Sequence, residues 1–317
     1  MRLGIKHSLL NFSKKMSSEK KHKILSFGEV LYDVIGEKEF IGGASFNLAA
    51  HAARCGLDAQ LFSAIGDDPR GAGFQRELVR MGVGTNWLAI DKLHPTGIVN
   101  VTLDKNGQPT YEIVQGAAWD FIPEPDEGQA QSLREYGFDV LCFGTLVQRS
   151  AASRRSLKVL RNVLKDVPVF YDVNIRPPFT PVETIKESLP GATVVKVNDD
   201  EARFLAPHLF GKELSLEDFG KALMATYGVK VALLTRGADG CKVMWEDGTA
   251  DLPGLPGKVV SAVGAGDAFS AAFLASWLKG RGPAEAARRA NELGTFVVMQ
   301  VETVPEYTPE LLAMLNA

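Results

Sequence analysis

The sequence predicts an α/β fold: a three-layer α/β/α sandwich around a mainly parallel central sheet, with a small β-sheet lid set apart from it. Three observations carry this expectation. Short apolar runs alternate with helical patterns along the chain. Several of those runs lack polar alternation, as strands covered on both faces do. One segment breaks the rhythm with a hairpin signal.

Taken in order, 24–27 is the first strand-like run, and 30–41 is an extended stretch after it. A helical pattern over 46–55 ends at Gly56, where a C-terminal cap belongs; 60–65 is a strand, and a helix over 73–81 ends at Gly82. The segments 96–103 and 110–114 read as two strands around Asn106-Gly107, with Val99, Val101 and Leu103 alternating against Ile98, Asn100, Thr102 and Asp104. Together with 30–41 they are expected to form four short strands of a small antiparallel sheet. At the mouth of a site such a sheet acts as a lid that excludes water; otherwise it is an edge extension or a dimer surface. Strands follow at 140–143, 169–173, 193–197 and 231–235, and helices at 153–165, 216–226, 268–279 and 283–298. The ordered domain is expected over 23–317, its lid drawn from about 30–41 and 96–114, and residues 1–22 as a disordered, lysine-bearing extension.

Bulk properties narrow the function classes. The 317 residues suffice for a full-sized core, and 45% hydrophobic with 23% charged residues is ordinary for a globular protein. A net charge of −3 offers no electrostatic argument for nucleic acid or a membrane surface. Cys55, Cys142 and Cys241 show no paired spacing, so a cytoplasmic, reducing setting is expected. His7, His22, His51, His94 and His208 are too scattered to suggest a metal cluster or a triad. No glycine-rich loop ends in Gly-Lys-Ser/Thr, and no Gly-x-Gly-x-x-Gly follows the first strand.

The most informative stretch is Val263-Gly264-Ala265-Gly266-Asp267-Ala268-Phe269, which opens an apolar helix. A glycine-rich turn at a helix N-terminus aims unpaired N–H groups at one point, at the positive end of the helix dipole, and so binds anions. Asp267 beside that point reads as a general base that activates a hydroxyl for attack on phosphate, or as a simple helix cap. Gly42-Gly43-Ala44-Ser45-Phe46-Asn47 precedes the first helix: the glycines permit close approach, and Asn47 offers donor and acceptor to a hydroxyl-bearing substrate. Asp33 could accept from sugar hydroxyls or be a solvated loop acid.

Ligands of open α/β sheets gather beyond the carboxyl ends of strands, and three further motifs sit there. In Asp172-Val173-Asn174-Ile175-Arg176, strand alternation puts the three polar residues on one side. In Lys196-Val197-Asn198-Asp199-Asp200-Glu201, Asn198 and Glu201 either organise water around Mg²⁺ or simply start a helix. Thr235-Arg236-Gly237-Ala238-Asp239-Gly240 either covers nucleotide phosphates or is a hairpin.

From about Lys23 onward, this ordered set resembles the ribokinase-like (PfkB) carbohydrate and nucleoside kinases: Gly42-Gly43 with Asn47, Asn198-x-x-Glu201, Thr235-x-Gly237-x-x-Gly240 and Gly264-Ala265-Gly266-Asp267. The resemblance implies a kinase using ATP and Mg²⁺ on a small-molecule sugar, with Asp267 as catalytic base and Gly264, Ala265 and Gly266 as the anion hole. It further implies that Asp33, Gly43 and Asn47 hold the sugar, Asn198 and Glu201 organise Mg²⁺, and Thr235, Gly237 and Gly240 lie along ATP, with Asn291 near the adenine. The lid would serve as a homodimer contact. Asp172-x-Asn174-x-Arg176 and Gly28-Glu29-x-Leu31-x-Asp33 are similar to the fructokinase branch, which implies D-fructose, with Asn174 and Arg176 at the substrate; ketodeoxygluconate, ribose or nucleoside kinases, or a silent sugar sensor, are the alternatives. Where the family usually carries Asp-Thr near its monovalent-cation site, this chain has Ser261-Ala262, which leaves K⁺ activation open. Trp119, after the lid, is expected to reshape the sugar pocket.

Overall fold

The computed structural model describes residues 21–103 and 109–316, so most of the expected 1–22 extension and the Asn106-Gly107 turn lie outside the described residues. The central sheet has nine strands in the order β13-β12-β11-β10-β9-β8-β1-β4-β5. They are β1 (Lys23–Phe27), β4 (Asp58–Gly66), β5 (Gly84–Asp91), β8 (Val140–Gly144), β9 (Val169–Asp172), β10 (Val194–Asn198), β11 (Val231–Thr235), β12 (Cys241–Trp245) and β13 (Gly248–Leu252). From β5 to β11 every pairing is parallel. The β11–β12–β13 edge is an antiparallel meander, which supplies two strands that the apolar-run pattern does not reveal. β5 is a further strand the apolar-run pattern does not reveal, because only Trp87 along it is buried and its pattern is mixed.

Successive strand residues serve opposite layers, as the period-two geometry of a strand requires. Ile24, Phe170, Val194 and Leu233 join one core; their neighbours Leu25, Tyr171, Val195 and Leu234 join the other. The first core is closed by α1 (Ala44–Arg54), α2 (Pro69–Met81), α8 (Ala265–Leu278), α9 (Pro283–Val298) and α10 (Pro309–Asn316). The second is closed by α3 (Glu127–Tyr136), α4 (Ala151–Val163), α5 (Val182–Ser188), α6 (Asp199–Phe210) and α7 (Leu216–Tyr227). α8 is apolar nearly all round because it lies deep in its layer, buried from Ala268 to Ser276. Among the described residues no helix is long and apolar enough to cross a membrane.

The small sheet has the order β3-β2-β6-β7, from β2 (Leu31–Ile35), β3 (Lys38–Gly42), β6 (Gly97–Leu103) and β7 (Pro109–Ile113). It is not the antiparallel sheet the sequence suggests. The two outer pairs are antiparallel hairpin pairs, but β2 and β6 in the middle run parallel. Hairpins in general follow from local turn chemistry, whereas the joining of two hairpins is a long-range event that no turn residue specifies. Val99 and Val101 do face inward, as their alternation predicts, and form a small core with Leu31.

Contrary to what the sequence suggests, Trp119 does not sit in the sugar pocket. It is buried beneath Gly97, and the Arg149 guanidinium sits 3.9 Å from its ring while also pairing with Asp120. The indole therefore packs the segment leaving the lid against the main body and does not line the cleft described below.

Candidate active site

A cleft opens at the carboxyl ends of β1, β8 and β9, lined among others by Ala44, Ser45, Asp172, Asn174 and Asp267. A wider groove between β5 and α3, lined by Asn86, Trp87, Gln129, Ser132 and Tyr136, holds none of the motif residues. The chemistry is concentrated in the narrower cleft.

Two helices start at it. α8 begins after Gly264, whose φ of +83° is a left-handed conformation that glycine adopts freely. A Cβ there would lie 2.8 Å from the Thr303 carbonyl oxygen, so space and conformation both demand glycine. No side chain caps this helix; Ala265 N–H turns back onto Ala262 O at a long 3.4 Å. α1 begins the same way after Gly43, at φ +106°, where a Cβ would meet Glu29 O at 2.5 Å. It too has no side-chain cap. Two open helix N-termini thus lie at one cleft, each a natural seat for negative charge or lone pairs.

Asp267 lies in the first turn of α8, only partly exposed and surrounded by protein. Burial pushes its carboxyl up to about 7; Asn47 and Lys196 pull against that rise, while Asp172 and Glu29 add to it. Asn47 Nδ2 donates to Asp267 Oδ2 at 2.9 Å, joining the two helices across 220 positions of sequence. Asn47 Oδ1 is buried with no hydrogen-bond partner among the described residues. A buried acceptor without a donor costs free energy that a ligand hydroxyl would restore. A carboxyl that titrates near neutrality, fixed beside an open helix end, is suited to taking a proton from a hydroxyl.

Asp33 stands on β2 of the small sheet, over Gly42, and burial pushes it up to about 6. Asn174 lines the cleft in a left-handed conformation (φ +42°). The strand ends at Asp172, so the expected alternation does not extend to Asn174 and Arg176. Arg176 is exposed at the rim, where Nη1 donates to Ile175 O, and its charge is felt by the buried Glu29.

At the next strand end, Asn198 and Glu201 form a closed capping box. Asn198 Oδ1 accepts from Glu201 N–H at 2.8 Å, and Glu201 Oε2 accepts from Asn198 N–H at 2.9 Å. Glu201 Oε1 also takes Ile175 N–H at 2.7 Å. Among the described residues no group of three or more His, Cys, Asp or Glu could ligate a metal directly. The Glu201 oxygens keep lone pairs beyond these bonds, which fits a Mg²⁺ ion held through its own waters. Thr235 lies beside Asn198 in register, and Gly237 and Gly240 bound the turn that joins β11 to β12. The hairpin reading of that motif is therefore realised at the same sheet edge as the capping box. Asn291, on α9, donates to Pro253 O at 2.8 Å and so ties down the loop that leads to Gly264. Ser261 Oγ accepts from Val263 N–H, and Ser261 N–H donates to Val298 O.

Three residues of the site had no role in the sequence reading. Lys196 ion-pairs with Asp172 beneath α8, a contact set by the β9–β10 register. Glu29 is a buried carboxyl 3.5 Å from Ser45 Oγ, and burial pushes it up from its usual value. His51, one turn beyond Asn47, is buried between Tyr307 Oη (2.5 Å) and Thr303 O (2.9 Å), and burial pushes it down to about 3, so it stays neutral. It fixes the backbone against which Gly264 packs. The four-residue spacing of Asn47 and His51 was the one available signal.

The family model described as pfkB family carbohydrate kinase matches residues 18–309. A fructokinase of Rhizobium leguminosarum bv. trifolii is 31% identical over 278 residues, 80% of this chain and 79% of that protein. The structure of a fructokinase with bound ATP from Xylella fastidiosa superposes with a TM-score of 0.83 at 21% identity, over 93% of this chain and 98% of that one. Aminoimidazole riboside kinase of Salmonella enterica, complexed with its riboside and an ATP analogue, gives 0.75 at 22% identity, over 93% and 100%.

Proposed function

The chain belongs to the pfkB family of carbohydrate kinases and is an ATP-dependent sugar phosphotransferase; within that family we propose that it phosphorylates a primary hydroxyl of a free sugar, D-fructose to fructose 6-phosphate. The observation that carries the mechanism is the Asp267 carboxyl, raised to about 7 and held by Asn47 at the open start of α8. Its carboxylate takes the hydroxyl proton as the sugar oxygen attacks the γ-phosphorus. The N–H groups of Gly264, Ala265 and Gly266 stabilise the charge that develops on the phosphoryl oxygens. Asp33, Gly43 and Asn47, with Asn174, hold the sugar; a sugar hydroxyl supplies the donor that Asn47 Oδ1 lacks. Thr235, Gly237 and Gly240 follow the ATP phosphates, with Asn291 toward the adenine. Asn198 and Glu201 would hold Mg²⁺ through water, and the ion when bound would supply charge neutralisation on the ATP phosphates.

The small sheet serves as the lid, and its exposed Ile35, Phe40 and Tyr111 support a homodimer contact. Three free, buried cysteines support a cytoplasmic setting. The exposed Arg176 favours a second acceptor, a sugar acid such as ketodeoxygluconate, whose carboxylate the guanidinium could meet.

ADP release from Mg·ATP is the test, with fructose, ketodeoxygluconate, ribose, tagatose, adenosine or no sugar, each with and without K⁺. Fructose giving the highest kcat/KM is the expected result. Ketodeoxygluconate in first place would replace fructose, and the K⁺ arm reports whether Ser261-Ala262 retains cation activation.

A further inference from the structure

We propose that Lys196 is a catalytic residue whose ammonium, held by Asp172 beside the first turn of α8, donates to the phosphoryl group in transfer. The inference rests on the kinase reading above. Neither residue is needed to make the strands. β10 reads Val-Val-Lys-Val-Asn, and an apolar residue at position 196 would suit a central strand equally well. Replacing a buried ion pair by apolar groups is often neutral or stabilising, so stability alone does not account for the pair.

Its placement does. Lys196 and Asp172 are register partners on neighbouring parallel strands, at the carboxyl edge where the cleft opens. Lys196 is 8% exposed, and its Nζ lies 2.7 Å from Asp172 Oδ2. The same Nζ lies 3.3 Å from where a Cβ on Gly266 would stand, so the ammonium is set against the second residue of α8. A cation there faces the positive end of the helix dipole, an unfavourable position unless an anion comes to lie between them. The surrounding side chains do not provide one suited to transfer: Asp172 is occupied by Lys196, and Glu29, Glu201 and Asp267 make the site rich in carboxylates. Burial holds Glu29, Glu201 and Asp267 above their ordinary values, and each that ionises repels a transferring phosphoryl. Lys196 offsets that repulsion at the one point where the helix N–H groups converge. Burial would lower the lysine's proton affinity, yet Asp172, with Glu201 and Asp267, outweighs it and keeps the ammonium charged.

In the step itself, the bond between the γ-phosphorus and the β–γ bridging oxygen breaks, and its electron pair leaves with ADP. The sugar oxygen forms the new bond to phosphorus, and its proton goes to Asp267. Lys196 keeps its protons throughout and donates hydrogen bonds to the moving group, as a lysine at a phosphate does.

The experiment compares the full-length native protein with Lys196→Met, Lys196→Arg and the double variant Asp172→Asn/Lys196→Met. kcat and KM are measured on the best acceptor of the panel, and folding is checked by circular-dichroism melting. Lys196→Met leaves Asp172 buried without its partner and is prone to unfold; the double variant removes both charges and tests chemistry on a folded protein. The expected result is a folded double variant whose kcat falls by about 10²–10³ with sugar KM little changed, and partial recovery in Lys196→Arg. A double variant with near-native kcat would assign the pair a purely structural role and overturn the inference. Failure of the kinase reading shows separately, as a native protein that releases no ADP with any acceptor, and it would take this inference with it.

Discussion

α6 and α8 begin at the same edge of the central sheet and begin in opposite ways. α6 is closed on itself: Asn198 and Glu201 satisfy each other's backbone N–H groups reciprocally. α8 is left open, because its first flanking residue is a glycine with no side chain to offer. Other starts follow α6. Asp68 caps α2, Asp126 caps α3, Ser150 caps α4 and Ser215 caps α7. Among the described residues only α1 shares with α8 both the missing cap and a positive-φ glycine pressed against a backbone carbonyl, and α1 supplies Asn47. α5 and α9 also start without a side-chain cap, after Pro181 and Gly282, but neither has a left-handed glycine at its start. What sets α1 and α8 apart is the crowded glycine together with a place at the cleft.

The largest effect expected on this comparison comes from Asp267→Asn, which keeps the open helix start and removes the base. kcat should fall by about 10²–10⁴ while sugar binding, read by calorimetry, changes little; near-normal turnover would refute the assigned role. The same variant should be more stable than the native protein. Asp267 has a raised value in the folded state, so the folded protein binds the extra proton between its ordinary value of 3.8 and about 7, and the group's contribution to stability falls as pH rises through that window. The Tm gap between variant and native protein should therefore widen from pH 4 to 7 and then level off. In the native enzyme, kcat/KM should rise with pH on an acid limb near 7, a value set jointly by burial and by Asn47, Asp172, Lys196 and Glu29. A limb below pH 5 would mean that the carboxylate is already ionised across the working range.

Gly264→Ala should be next in size. It keeps Asp267 but forces a Cβ to within 2.8 Å of Thr303 O and a left-handed backbone on alanine, at a cost of roughly 1–2 kcal/mol. The turn must shift, and kcat should drop at least about tenfold, since a displaced donor is a weakened one. Unchanged kinetics would show that the turn does not set the transition-state geometry. The smallest effect belongs to a closed start. Ser215→Ala on α7 removes the hydroxyl that accepts from Asp218 N–H, and should cost about 1 kcal/mol of stability in a denaturant melt with kcat unaltered. A kcat loss there would break the division between capped and open helices.

Much of this was legible beforehand. The glycine turns at 43 and 264, Asp267 behind one of them, and the motifs at 172, 198 and 235 are local patterns, and local backbone chemistry placed them at strand and helix ends. Asn47 was expected to face the sugar, and the structure adds that one half of its amide is already committed to Asp267. Trp119 was misplaced because size and position in a loop say nothing about which side of the chain is covered; Arg149, some thirty residues on, decides it. Lys196 and Asp172 were both in view without a role, since their contact exists only through the pairing of β9 with β10.

By itself, the sequence determined the layered architecture, through apolar periodicity, and the local form of each turn, through residues with restricted or permissive backbones. Those are properties of neighbours in the chain. The tertiary structure alone decided the parallel centre of the small sheet, the bond from Asn47 to Asp267, the Lys196–Asp172 pair under α8, and the protonation behaviour of Asp267. Each depends on which distant segments are packed together and how much water that packing removes, and both are quantities of the folded chain.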